Sequence, residues 1–78
     1  MTNLEKYKNA FVEGLEISEE GVENLVFEGI PEWDSVGHMG LVSALEEAFD
    51  VMLETDDIIE LNSFNKGIEI LKKYGVEF

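Results

Sequence analysis

The stretch Asp34-Ser35-Val36-Gly37-His38-Met39-Gly40-Leu41-Val42-Ser43-Ala44-Leu45-Glu46-Glu47-Ala48-Phe49-Asp50 is a helix in outline. Asp34 and Ser35 are adjacent helix starters, and Val36 to about Asp50 supplies about three to four turns of mostly good helix formers. Projected at about 100° per residue, Leu41, Val42, Leu45, Phe49 and Met52 gather on one side and are assigned to the core. The opposite arc carries Ser43, Glu46, Glu47 and Asp50, as a solvated face should, together with apolar Val36 and Met39. Two apolar side chains rimmed by acids have the character of a docking surface; the alternative is that the preceding loop covers them. Gly37 and Gly40 each cost about 1 kcal/mol against alanine inside a helix, so either the helix start is poor or close backbone approach is needed there.

Upstream, Leu4, Tyr7, Phe11 and Leu15 share one side of a predicted first helix from Asn3 to about Gly14. From Glu16 to Trp33 no period is sustained, and the segment reads as a long connection pinned by Ile17, Val22, Leu25, Val26, Phe27 and Ile30, with one helical turn near Ser18. Gly29-Ile30-Pro31 stops it before the next element. Downstream, Thr55-Asp56-Asp57 offers a cap and first-turn acids for a short helix from about Asp56 to Glu60. After Asn62-Ser63, a last helix runs from Phe64 to Tyr74, with Phe64, Ile68 and Leu71 in register, Lys72 and Lys73 at its negative end and Gly75 to terminate it. The expectation is one all-α domain over 1–78, a small four-helix bundle of three main helices and one short one.

Composition narrows function by exclusion. The chain has 78 residues with 18 acids against 5 lysines, for a net charge of −13. The lysines sit near the two ends, and all the acids except Glu5, Glu69 and Glu77 lie between Lys8 and Lys66. Nucleic acid and anionic membrane are disfavoured, because both are bound by clustered Lys and Arg. A charge-guided protein partner should be basic. With no cysteine and a single histidine, disulfides, thiolate nucleophiles and sulfur-ligated or two-histidine metal sites are excluded. A Ser–His–acid relay could draw only on His38, so the chain is not expected to be an enzyme. Met1 to Glu5 lacks the basic start and apolar run of a signal peptide, and no stretch is long and apolar enough for a membrane span, so the expected compartment is the cytoplasm.

The acidic clusters Glu19-Glu20 and Glu54-Asp56-Asp57 lack the spacing and central glycine of a calcium-binding loop, so divalent cations should act only by relieving self-repulsion. Ser35 has two readings: a helix cap, or, if Asp34 takes the cap, a hydroxyl left free at a helix start that tolerates a phosphate ester. His38 projects toward the core-facing stripe in the first turn; it is either a partly buried helix residue or a hydrogen-bonding partner for a group at Ser35.

Around Glu32-Trp33-Asp34-Ser35-Val36 the sequence resembles the acyl carrier protein family, whose signature is Asp-Ser-Leu or a close variant at the start of the second helix. The segment Leu41 to Asp50 is similar to the rest of that family's second helix, Thr55 to Leu61 to its short third helix, and Ser63 to Leu71 to its fourth. The resemblance implies that Ser35 accepts 4'-phosphopantetheine from coenzyme A through a phosphopantetheinyl transferase. The cofactor's thiol would then carry an acyl group as a thioester, supplying what a cysteine-free chain lacks. It also implies that Asp34 is the signature acid beside the modified serine and that Val36 occupies the usual Leu position. Glu46 and Glu47 match acids on the partner-facing helix, so the implied docking face is Val36, Met39, Glu46, Glu47 and Asp50. The implied partners are acyl-transferring, acyl-activating or condensing enzymes with basic docking patches, met by a monomeric carrier. Where carriers of general fatty-acid synthesis commonly have acids soon after the serine, this chain has Gly37, His38 and Gly40, and the Trp-Asp-Ser-Val-Gly-His-Met run looks more like stand-alone carriers of polyketide, lipopeptide or glycolipid assembly. An aminoacyl or peptidyl carrier, or an acidic helical adaptor without a prosthetic group, are the alternatives.

Overall fold

A computed structural model of the chain describes residues 1–78 as four α-helices: α1 (Asn3–Leu15), α2 (Ser35–Phe49), α3 (Thr55–Glu60) and α4 (Phe64–Lys73). The bundle expected from the sequence is present, and each helix lies within two residues of its predicted bounds. Thr2 opens α1 with a reciprocal cap: its hydroxyl accepts from the Glu5 N–H while the Glu5 carboxylate accepts from the Thr2 N–H at 2.8 Å. Tyr7, Ala10, Phe11 and Leu15 form the buried stripe of α1, but Leu4 is 40% exposed. Only the middle and end of the helix face the core, so Leu4 leaves the predicted set.

The helices α1 and α2 share the largest helix interface of the bundle, and they meet through glycine. An added Cβ on Gly14 would lie 2.8 Å from Leu41 Cα, and one on Gly40 would lie 2.9 Å from the Gly14 carbonyl oxygen. The glycines that weaken the helix signal are therefore the contact that lets two backbones touch. Gly37 is close-packed too, since a methyl there would overlap the carbonyl oxygen of Glu32, where the incoming loop folds over the first turn of α2.

Tyr7, Phe11, Trp33 and Phe64 make an aromatic centre with edge-to-face or tilted contacts at 4.8–5.4 Å, and Trp33 is fully buried. The Tyr7 hydroxyl donates to the Phe64 carbonyl, and burial pushes its pKa up. The connection from Glu16 to Trp33 is held down rather than loose. Its helical turn is a 3₁₀ turn at Val22–Asn24 rather than near Ser18, because it is Val22 that enters the core. An isolated antiparallel bridge pairs Val26 with Ser63, flanked by hydrogen bonds from Phe27 N–H to the Asn62 carbonyl and from Phe64 N–H to the Leu25 carbonyl. These backbone bonds stitch the connection to the α3–α4 junction and satisfy groups that a free loop would leave to water.

Three further predicted placements change. Met52 is 83% exposed: α2 stops at Phe49, Asp50 turns left-handed at φ 52°, and the helical projection no longer applies beyond it. Thr55 is the first residue of α3 and not its cap, a place taken by Glu54 without a side-chain bond. In α4 the buried set is Phe64, Gly67, Ile70 and Leu71, with Ile68 half-buried at the edge of the stripe. Ser63 caps that helix by accepting from the Lys66 N–H at 3.0 Å. At its other end Gly75, at φ 89°, allows N–H groups of Gly75 and Val76 to reach the Lys72 and Leu71 carbonyls, a Schellman closure.

Helix α3 makes few contacts with the other helices and is tied to α4 by polar groups. Lys73 Nζ donates to Asp57 Oδ1 at 2.6 Å, and the Tyr74 hydroxyl donates to Asp57 Oδ2 at 2.5 Å while accepting from the Glu54 N–H at 2.9 Å. The Lys73 and Tyr74 donors hold the Asp57 carboxyl below the usual range, and the Asp57 carboxylate holds Lys73 and Tyr74 above theirs.

Candidate functional site

At the start of α2 the two adjacent capping residues divide their roles. Asp34, in extended conformation, is the N-cap: its Oδ1 accepts from the Gly37 N–H at 2.8 Å and its carbonyl accepts from the His38 N–H at 2.8 Å. Ser35 is the first residue of the helix and is exposed. Its hydroxyl is therefore free of capping duty. The Ser35 and Val36 N–H groups belong to the first turn, which has no intrahelical acceptors, and the positive end of the dipole lies there. A phosphate ester on Ser35 suits this position, because free donors and partial positive charge face the added oxygens.

Trp33 and His38 brace the site from below. The Trp33 indole N–H donates to His38 Nδ1 at 2.9 Å, and the two ring planes lie 14° apart with their centroids 6.2 Å apart. Since the indole only donates, Nδ1 is the acceptor and the proton of neutral His38 is on Nε2. That N–H donates to the Ile58 carbonyl in α3 at 2.8 Å. Both imidazole nitrogens are thus spent within the fold, which favours the partly buried structural reading of His38 over a bond to a group on Ser35. Helix periodicity placed His38 toward the core but carried no sign of its partners, which come from a loop and from another helix.

The outer arc of α2 presents Val36 at 83% exposure and Met39 at 54%, with Glu47 and Asp50 exposed beside them. The preceding loop does not cover the two apolar residues. Glu46 differs from its neighbours: it is half-buried, and its carboxylate accepts from the Leu53 N–H at 2.9 Å, so it anchors the turn after α2 while sharing the arc. Ile59 on α3 and Met52 in the loop after α2 add exposed apolar surface that sequence reading missed. Ile59 was obscured because a six-residue helix is too short to show a period, and Met52 because the αL turn at Asp50 breaks the projection.

Charge around this face is unbalanced. The ion pairs are Lys8–Glu23, Lys66–Glu60 and Lys73–Asp57, so Glu32, Asp34, Glu47 and Asp50 have no cationic partner. An open groove of about 750 Å³ runs between α1 and α2, floored by Ala10, Gly14, Gly40 and Ala44 and bordered by Glu47. No cluster of three or more His, Asp or Glu side chains is arranged to hold a metal ion. No helix is long and apolar enough to cross a membrane. No family model matches the chain, and neither a curated protein nor a solved structure matches it.

Proposed function

We propose that the chain is an acyl carrier, loaded at Ser35 with 4'-phosphopantetheine and without catalytic activity of its own. The observation that carries the reading is the division of labour at the α2 start: Asp34 takes the cap and leaves an exposed Ser35 hydroxyl at a helix N-terminus. In the loading step the Ser35 oxygen attacks the pantetheine-bearing phosphate of coenzyme A and a phosphoester bond forms. The adenosine bisphosphate half leaves, and the hydroxyl proton passes to a base on the transferase.

The net charge of −13 and the unpaired acids beside Val36 and Met39 support recognition by enzymes with basic patches. Such complementarity favours fast, reversible encounters, as a carrier shared among enzymes requires. The setting proposed is the cytoplasm, where a pantetheine thiol stays reduced, with the chain acting as a monomer in a specialised fatty-acid, polyketide or lipid pathway.

The test is incubation of the folded chain with coenzyme A, Mg²⁺ and a broad-specificity phosphopantetheinyl transferase, followed by intact mass measurement. Gain of one phosphopantetheine by the wild type and none by Ser35→Ala is the expected result. No gain by the folded wild type with two unrelated transferases would overturn the carrier reading in favour of an acidic adaptor.

A further inference from the structure

We propose that His38 is a pH-sensitive clasp that joins the loop entering the Ser35 helix to α3 and releases its hold on Trp33 when the imidazole is protonated. The proposal does not depend on the carrier reading. It starts from the direction of two hydrogen bonds. Trp33 Nε1–H donates to His38 Nδ1 at 2.9 Å, and His38 Nε2–H donates to the Ile58 carbonyl at 2.8 Å. Only the neutral ring with its proton on Nε2 satisfies both, because an indole nitrogen cannot accept.

Uptake of one proton from solvent occupies the Nδ1 lone pair. The ring then has two donors and no acceptor, and an N–H faces an N–H across the Trp33 contact. The Ile58 bond survives with a cationic donor, whereas the Trp33 donor is left without a partner in a fully buried side chain. The alternative, rotating the imidazole away, surrenders the Ile58 carbonyl as well. Either way the loop segment at Trp33, two residues before Ser35, loses its tie to α3.

The groups packed around the ring form no ion pair with it. From the loop, Phe27 meets it edge to face at 5.5 Å and Trp33 lies beside it with its plane 14° away, and neither side chain ionises in the acid range. On α3, Asp57 is committed to Lys73 and Tyr74, and on α2 the Asp34 carboxylate is committed to the Gly37 N–H. No carboxylate forms an ion pair with the imidazole. Helix α3 makes few contacts with the other helices, and this clasp and the Asp57 network are its principal polar ties.

Trp33 is the one tryptophan, so its indole N–H gives a single resonance in a ¹⁵N-labelled sample. The experiment follows that resonance, its hydrogen exchange and the His38 ring carbon signal from about pH 8 to about pH 5, the window in which imidazoles change charge. The expected result is that the indole shift tracks the His38 titration with one midpoint. Its exchange, corrected for the intrinsic pH dependence, should speed at least about tenfold as the contact that protects it opens. In His38→Gln the indole response to pH should disappear. An indole whose shift and protection stay constant while His38 titrates in the folded chain would overturn the proposal, as would a His38 that takes up no proton before global unfolding. Should His38→Gln fail to fold, the wild-type comparison of the two signals decides alone.

Discussion

Replacing Gly14 by alanine sets two effects of known sign against each other. In an ordinary helix the change stabilises by about 1 kcal/mol, since alanine loses less backbone entropy. Here the new Cβ would lie 2.8 Å from Leu41 Cα, 3.0 Å from the Gly40 carbonyl oxygen and 3.1 Å from the Leu41 nitrogen. All three are backbone atoms, so no rotamer change relieves the overlap and α1 and α2 must separate. Overpacking of this kind typically costs about 1–3 kcal/mol, and the backbone contacts put this case toward the upper end. The net expectation is a loss of about 1–2 kcal/mol, from a total that for 78 residues is on the order of 4–12 kcal/mol. Urea unfolding followed by helical circular dichroism and Trp33 fluorescence would report the loss, and thermal unfolding would show it as a fall in melting temperature of roughly 4–16 °C for a domain of this size. A Gly14→Ala protein as stable as the wild type, or more stable, would refute the claim that this helix crossing requires glycine.

Other outcomes follow from the same structure. Glu16 and Asp50 end their helices in the left-handed region at φ 56° and 52°, so Glu16→Gly and Asp50→Gly should each stabilise by about 0.5–1 kcal/mol in chemical denaturation; a loss would mean these side chains have favourable roles not seen in their contacts. Because the folded Asp57 carboxyl sits below its unfolded range, its contribution is complete above that range and is lost as pH falls through the folded value. The raised Lys73 behaves in the opposite sense, contributing fully below its unfolded range and losing that contribution as pH rises through its folded value. Asp57→Asn should therefore flatten the acid limb of a stability profile, and an unchanged limb would contradict the assignment. With a net charge of −13 and no built metal site, millimolar Mg²⁺ or Ca²⁺ should raise the melting temperature without a saturating stoichiometric step. A flat series of melting curves would show that self-repulsion is not limiting.

Much of the fold was legible because local signals coincided. Asp34-Ser35 before an apolar helix, Ser63 before Phe64, and Gly75 after two lysines each act within one turn, and α2 and α4 follow from them. The free Ser35 hydroxyl was legible as a conditional: it required that Asp34 cap, and Asp34 does. What escaped was set by contacts distant in sequence. Trp33, His38 and Ile58 lie on three different segments, and nothing in their spacing announces the hydrogen bonds that join them. Gly40 reads locally as a weak point, and only the crossing of α1 over α2 shows that it and Gly14 are where the two backbones meet. Met52 and Leu4 were misplaced for a simpler reason: a helical projection assumes that the helix continues and that its whole length faces the core, and neither assumption held at the ends.

The proposed attachment point of a pantetheine arm is the hydroxyl that the Asp34 cap leaves free. Its most direct test is peptide-level mass spectrometry of the chain after treatment with coenzyme A and a phosphopantetheinyl transferase, scored for the residue that carries the added group. The expected result is a single adduct on the peptide containing Ser35, lost as the pantetheine fragment on activation. An adduct on another residue, or an unmodified Ser35 peptide from a folded chain that two transferases have failed to load, would contradict it.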